Sequence, residues 1–156
     1  MRSTNMKIMV INGPNLDMLG YREPTIYGSR TYKDLVEYIK AAADKLDIEA
    51  EFYQSNYEGG IVETLHKVFL EKYDGVLINA GAYTHYSYAI RDAIEILKCP
   101  VVEVHISDVM NRDDFRKISV IEDVCTTRCF GRGFDSYVDG LKFINDMHNN
   151  PKTKDS

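Results

Sequence analysis

The sequence predicts an α/β domain of flavodoxin-like shape, a five-stranded parallel sheet in the order 2-1-3-4-5 with helices on both faces. Two patterns predict it. Short runs rich in Val and Ile alternate with longer segments whose apolar residues recur every three or four positions, the signature of β-α units feeding a parallel sheet. Five such units in 156 residues, joined by right-handed crossovers, leave few other strand orders.

The strands are expected at Lys7 to Ile11, Glu49 to Tyr53, Gly75 to Asn79, Pro100 to His105 and, less sharply, Val124 to Phe130. The first helix starts at Thr31, whose hydroxyl caps while Asp34 reaches back, and it turns Leu35, Val36, Ile39, Ala42, Ala43 and Leu46 inward. A second carries Ile61, Leu65, Val68 and Phe69; a third Tyr86, Ile90, Ala93, Ile94 and Leu97; the last Phe134, Tyr137, Val138, Leu141 and Ile144. Residues 1–148 form one domain on this pattern. The polar stretch Asn149 to Ser156, with Pro151 inside it, reads as a frayed tail.

Composition narrows the function classes. Apolar residues at 44% and charged residues at 28% suit a globular enzyme. A net charge of -5, with Lys and Arg scattered, leaves out the basic stripe that nucleic acid requires. No apolar run is long enough to span a membrane, so no membrane partner is expected. Cys99, Cys125 and Cys129 are an odd set without paired spacing, which points to a reducing cytoplasm and to no metal site. Cys125 and Cys129 are expected on one face of the fifth strand as ordinary buried thiols.

In a 2-1-3-4-5 sheet a ligand sits beyond the carboxyl ends of strands one, three and four, beside the point where the order reverses. The loops there are the unusual ones. Asn12 to Gly28 is long, with two prolines and no regular period, and such connections are commonly functional. Gly20 and Gly28 bracket Arg22 and Tyr27 as hinges of a lid would. A tyrosine of pKa about 10 is roughly 0.1% ionised at pH 7, and a neighbouring arginine lowering it by about 2 units raises that to roughly a tenth, enough for a general base. From spacing alone the plainer alternative, Tyr27 packing the lid with Arg22 in solvent, is favoured.

After the third strand, Asn79 ends the strand, Gly81 marks a close backbone approach, and Thr84 is placed to cap the next helix with His85 on its first turn, near free amides that favour an anionic or hydroxyl-rich ligand. A second capping role for His85 stays open. After the fourth strand, Glu103 and His105 alternate on one face, so the carboxylate can fix the imidazole's tautomer and favour its charged form, as a general acid needs. The amides of Ile106 and Ser107 can cradle a carboxylate, with Arg112 and Arg116 following on a short helix; a merely solvated turn is the alternative. The second strand ends in Gln54-Ser55-Asn56, without a good acid, base or nucleophile. His66 and His148 read as ordinary surface or packing residues.

Taken in order, N-G-P-N-L, R-E-P with I-Y-G, Q-S-N, N-A-G-A-Y-T-H, A-I-R-D and V-E-V-H-I-S resemble type II 3-dehydroquinate dehydratase, from about Met6 to about Met147. The resemblance implies trans elimination of water from 3-dehydroquinate to give 3-dehydroshikimate, through an enolate and without metal or other cofactor. It implies that Tyr27 removes the C2 proton, with Arg22 and Arg112 keeping it ionised, and that Asn15 holds a water against the enolate. His105, oriented by Glu103 and helped by Asn79, is implied as acid to the C1 hydroxyl. Ile106, Ser107, His85, Arg116, Asn79 and Gly81 are implied to bind substrate, as is Asp92 from a neighbouring subunit of a trimer-based homododecamer. Asp108 and Met110-Asn111 depart from that family's usual pattern, and Arg128 and Arg132 have no assigned role. Lysine is missing from all three loops, which disfavours an imine mechanism.

Two other classes compete. A phosphate- or flavin-sensing domain would want a compact glycine-rich cradle in the first loop, and a response regulator would want acidic residues where Asn12 and Asn79 stand. A degenerate scaffold is the third, disfavoured because every expected catalytic side chain is present.

Overall fold

The computed structural model describes residues 5–21, 25 and 29–150. Among them, β1 (Met6–Asn12), β2 (Ile48–Gln54), β3 (Gly75–Asn79), β4 (Val101–His105) and β5 (Thr127–Phe130) form one sheet of order β2-β1-β3-β4-β5. All four pairings are parallel. Strands β3 and β4 are buried throughout, which is why they read as unbroken apolar runs.

Period-2 alternation splits the sheet's side chains between two layers. Ile8, Val10, Leu77, Val102 and Val104 pack beneath α1 (Tyr32–Lys45) and the last helix, α5 (Asp135–Asn149). Met9, Ile11, Val76, Ile78 and Val101 pack beneath α2 (Glu58–Leu70) and α3 (Tyr88–Ile96). Helices thus cover both faces, as expected. The expected capping box is present: Thr31 Oγ1 accepts from the Asp34 amide at 3.2 Å, and Asp34 accepts from the Thr31 amide at 2.9 Å, worth about 1 kcal/mol to the start of α1.

Several expectations are corrected. Phe69 and Tyr86 are exposed rather than core. The fifth strand begins at Thr127, because Glu122–Val124 forms a 3-10 turn in which the Cys125 amide donates back to Ile121 and Glu122. Cys125 therefore precedes the strand and packs with the α2/α3 layer, while Cys129 packs with the α1/α5 layer, so the two thiols lie on opposite faces. Both are half-buried, and burial pushes each thiol up. Thr84 does not cap α3. The chain first makes a 3-10 turn over Gly81–His85, and Ser87 becomes the cap, its hydroxyl accepting from the Ile90 amide at 3.1 Å. The last helix runs through Asn149, one residue into the expected tail, whose residues 151–156 lie outside the described part.

Candidate active site

The carboxyl ends of β1, β3 and β4 converge on a cavity of about 130 Å³. It is smaller than the roughly 300–1,000 Å³ of sites for drug-sized ligands, the scale of a single-ring metabolite. Its wall contains Arg112, Arg116, His85 and His105 and, among the described residues, no carboxylate, so it is built for an anion. A larger groove of about 820 Å³ lies at the opposite, amino-terminal end of the strands, between Phe69, Leu97 and Met147. It is mostly apolar, and its ionisable side chains, Lys72, Asp74 and Lys98 among them, stand at the end of the sheet away from the switch point, so the chemistry is assigned to the smaller cavity.

The start of the first loop, at Gly13 and Asn15, is held by residues that look inert in the sequence. The Gly13 amide donates to the Asn79 carbonyl at 2.8 Å, and a Cβ on Gly13 would stand 2.5 Å from the Ala80 oxygen. Gln54 Nε2 donates to the Gly13 carbonyl at 3.1 Å, and the Asn15 amide donates to Asn56 Oδ1 at 3.0 Å. The polar end of β2 thus anchors the loop that brings Asn15, in a left-handed conformation, to the cavity wall. Gly81 makes the close approach expected of it: its φ is +61°, and a Cβ there would meet the Pro14 oxygen at 3.1 Å.

Beneath the cavity a buried tyrosine ties two strand ends together. Tyr137, on α5, donates its hydroxyl to Asn12 Oδ1 at 2.5 Å and accepts from Asn79 Nδ2 at 2.9 Å. The Asn79 Oδ1 accepts from the Gly81 amide at 3.2 Å. Asn79 lines the cavity, but these hydrogen bonds go to Tyr137 and Gly81 rather than to His105, where the resemblance placed its help. Tyr137→Phe leaves two buried groups unsatisfied at about 1–3 kcal/mol each, so a loss of roughly 2–6 kcal/mol in urea unfolding with unchanged m-value is the expected result.

Glu103 is fully buried and His105 nearly so, on the same face of β4 as the alternation predicts. Glu103 Oε2 stands 2.6 Å from His105 Nε2, and Oε1 accepts from Ser119 Oγ at 3.0 Å. A carboxylate in that position makes Nε2 the proton-bearing nitrogen and leaves Nδ1 for a ligand. Sequence reasoning does not find Ser119; nothing local to it signals a partner sixteen residues upstream.

His85 ends the 3-10 turn, two residues short of the α3 cap, rather than standing in the first turn of that helix. The α3 cap residue Ser87 donates instead to Glu58 Oε2 at 2.5 Å. His85 Nδ1 lies 2.7 Å from the Ile118 carbonyl; because that oxygen only accepts, Nδ1 bears the proton and Nε2 of the neutral ring is an acceptor for a ligand hydroxyl. Burial lowers the His85 pKa, opposed by the Ile118 bond, with the charges of His105 and Arg116 lowering it further. A lowered folded-state value means stability that is complete above the unfolded value near 6.5 and is lost as pH falls. His85→Gln is therefore expected to flatten the decline of the urea midpoint below about pH 6.5.

Of the remaining expected residues, Ile106 and Ser107 line the cavity, and Arg112 Nη1 donates to Ser107 Oγ at 3.2 Å. Arg112 precedes the short helix α4 (Asp114–Lys117) in extended backbone, and only Arg116 belongs to it. Asp108 Oδ1 accepts from the Met110 amide at 3.0 Å, capping the 3-10 turn that carries Arg112 toward the cavity. Asp92 is exposed on α3, outside its own chain's cavity. Arg22 and Tyr27 lie outside the described residues. His66 and His148 are exposed, as expected. Among the described residues no group of three or more His, Cys, Asp or Glu side chains could hold a metal ion.

A doubly wound parallel sheet with a carboxylate-held histidine and two arginines at its switch point defines an enzyme of small, anionic substrates. The chain matches the family Dehydroquinase class II over residues 6–145. A 3-dehydroquinate dehydratase of Caldicellulosiruptor bescii is 48% identical over 141 residues, 90% of this chain and 97% of that protein. One from Clostridium beijerinckii is 52% identical over 139 residues, 89% and 95% of the two chains. The crystal structure of type II dehydroquinase from Butyrivibrio crossotus superposes with a TM-score of 0.89 at 46% identity, covering 92% of this chain and 99% of that one. This chain belongs to the class II dehydroquinase family.

Proposed function

We propose that the chain dehydrates 3-dehydroquinate to 3-dehydroshikimate by trans elimination, and that the following side chains divide the work. Tyr27, held as phenolate by Arg22 and Arg112, takes the C2 proton. The electron pair moves into the C3 carbonyl, and the enolate oxygen is met by a water held by Asn15. The C3 carbonyl then re-forms and the electron pair becomes the C1–C2 double bond as the His105 imidazolium gives its Nδ1 proton to the C1 hydroxyl, which leaves as water. A fixed base and a fixed oxyanion partner are what such a weak carbon acid requires. The amides of Ile106 and Ser107 with Arg112 receive the substrate carboxylate; His85 and Arg116, with Asn79 and Gly81 behind them, hold the hydroxyls.

The observation that carries this is the Glu103–His105 pair at 2.6 Å, opening onto a cavity with arginines and no described carboxylate. The same proposal includes a trimer-based dodecamer, in which the exposed Asp92 completes a neighbour's site, and a cytoplasmic setting that suits three free thiols. The reaction serves aromatic biosynthesis in the shikimate pathway or the breakdown of quinate. Purified protein mixed with 3-dehydroquinate should generate the ultraviolet absorbance of the conjugated product, with or without borohydride. An unchanged spectrum rejects the activity, and a borohydride-trapped adduct rejects the enolate route.

A further inference from the structure

We propose that Arg128, on the edge strand β5, is a positioning residue for the acid: it keeps Glu103 paired at the moment His105 surrenders its proton. This rests on the reading of His105 as acid to the departing hydroxyl. In the β4–β5 register Arg128 stands opposite Glu103. Its Nε lies 3.6 Å from Glu103 Oε1 and its Nη1 3.1 Å from Glu122 Oε1, with the side chain only 17% exposed. The guanidinium also lies 5.2 Å from the Phe130 ring centroid.

The charges explain why the arginine is there. With His105 protonated, the row Glu122, Arg128, Glu103, His105 sums to zero, and His105 and Glu103 neutralise each other. Once the Nδ1 proton has gone, the neutral ring still donates from Nε2 and Ser119 from its hydroxyl, but among the described residues the counter-charge left to Glu103 is Arg128. Without Arg128 it would be a buried carboxylate with no counter-charge, a state costly enough to hold the proton on the imidazole. Arg128 therefore stabilises the state that follows proton transfer, and it does so from outside the cavity wall. The groups that face the pair from other elements do not replace it. Ser119 is neutral. Cys125 lies close enough for Glu103 to raise its thiol, after burial, and so stays protonated. His85 is held toward its neutral form.

The contact's geometry separates charge from shape. Arg128 Nε is buried without a hydrogen-bond partner, and 3.6 Å is beyond a good hydrogen bond. The interaction with Glu103 is Coulombic, so a lysine at this position should serve.

The test is steady-state kinetics on 3-dehydroquinate for wild type, Arg128→Met, Arg128→Lys, Glu103→Gln and the Arg128→Met/Glu103→Gln pair. A general acid contributes about 10²–10⁴-fold, so Arg128→Met is expected to lower kcat on the order of 10- to 100-fold while KM stays within about twofold. Arg128→Lys should recover kcat to within about threefold of wild type. The double variant leaves no lone buried charge and provides the measurement if Arg128→Met does not fold; its kcat should match Glu103→Gln within about threefold. The inference is overturned by a kcat of Arg128→Met within about threefold of wild type, or by a double variant below Glu103→Gln by more than that. It is also overturned if lysine fails to rescue, or if KM rises with kcat intact, as loss of a substrate contact would give. A wild type inactive on 3-dehydroquinate would instead remove the functional reading on which the inference stands.

Discussion

His105→Gln is expected to lower kcat by about 10²–10⁴-fold, the usual contribution of a positioned general acid, while KM changes little. Arginines 112 and 116 remain in the cavity wall to hold the substrate, and Glu103 keeps Ser119 and Arg128 as partners, so the fold should survive the change. The assignment of His105 to the departing hydroxyl, rather than to C2, makes a sharper demand. If the C2 proton is removed by another group, the variant should still exchange that proton with deuterated solvent although little product forms. Mass spectrometry of recovered 3-dehydroquinate reads this directly. Loss of exchange in step with loss of turnover would place His105 on the proton-abstraction step and refute the division of labour.

Parts of the site are legible in the amino-acid sequence alone, and which parts follows from the range of the interactions. The Thr31–Asp34 capping box is local, spanning three residues, so its side-chain types alone announce it. Glu103 and His105 share a face because a strand has period 2, which needs no knowledge of the rest of the molecule. Strand order follows from handedness and connection rules, and with it the three loops that meet at the cavity.

Contacts between distant elements are not legible in that way. Tyr137 reads as one more apolar helix position, yet its hydroxyl joins Asn12, 125 residues away, to Asn79 at 58. Arg128 finds Glu103 only through the β4–β5 register, which depends on where β5 starts, and a 3-10 turn moves that start by three residues from the expected Val124. Asn56 and Gln54 lack acid or base character and so attract no notice as residue types, whereas their task is to hold Asn15 and Gly13 at the start of the first loop in place. Thr84 is a reasonable cap by type. The positive φ of Gly81 begins a tight turn that consumes the next residues and hands the cap to Ser87. Each miss is a tertiary contact or backbone turn overriding a sound local preference.

Tyr27→Phe is expected to abolish turnover more completely than any other single change, by about 10⁴-fold or more, because it removes the one atom proposed to accept the C2 proton. Phenylalanine keeps the ring and loses only the oxygen, so substrate binding through the cavity's arginines, and hence KM, should alter little. The exchange experiment then separates the two roles. Deuterium should enter C2 with His105→Gln but not with Tyr27→Phe, since no enolate can form without the base. A double variant is expected to fall no further than Tyr27→Phe alone, because a missing first step hides a defect in the second. Exchange persisting in Tyr27→Phe would mean that another group is the base. Arg112→Met offers an independent check: if its charge helps keep the phenolate, the variant should lose C2 exchange as well as substrate affinity, whereas an arginine that only binds the carboxylate would raise KM and leave exchange at saturating substrate unchanged.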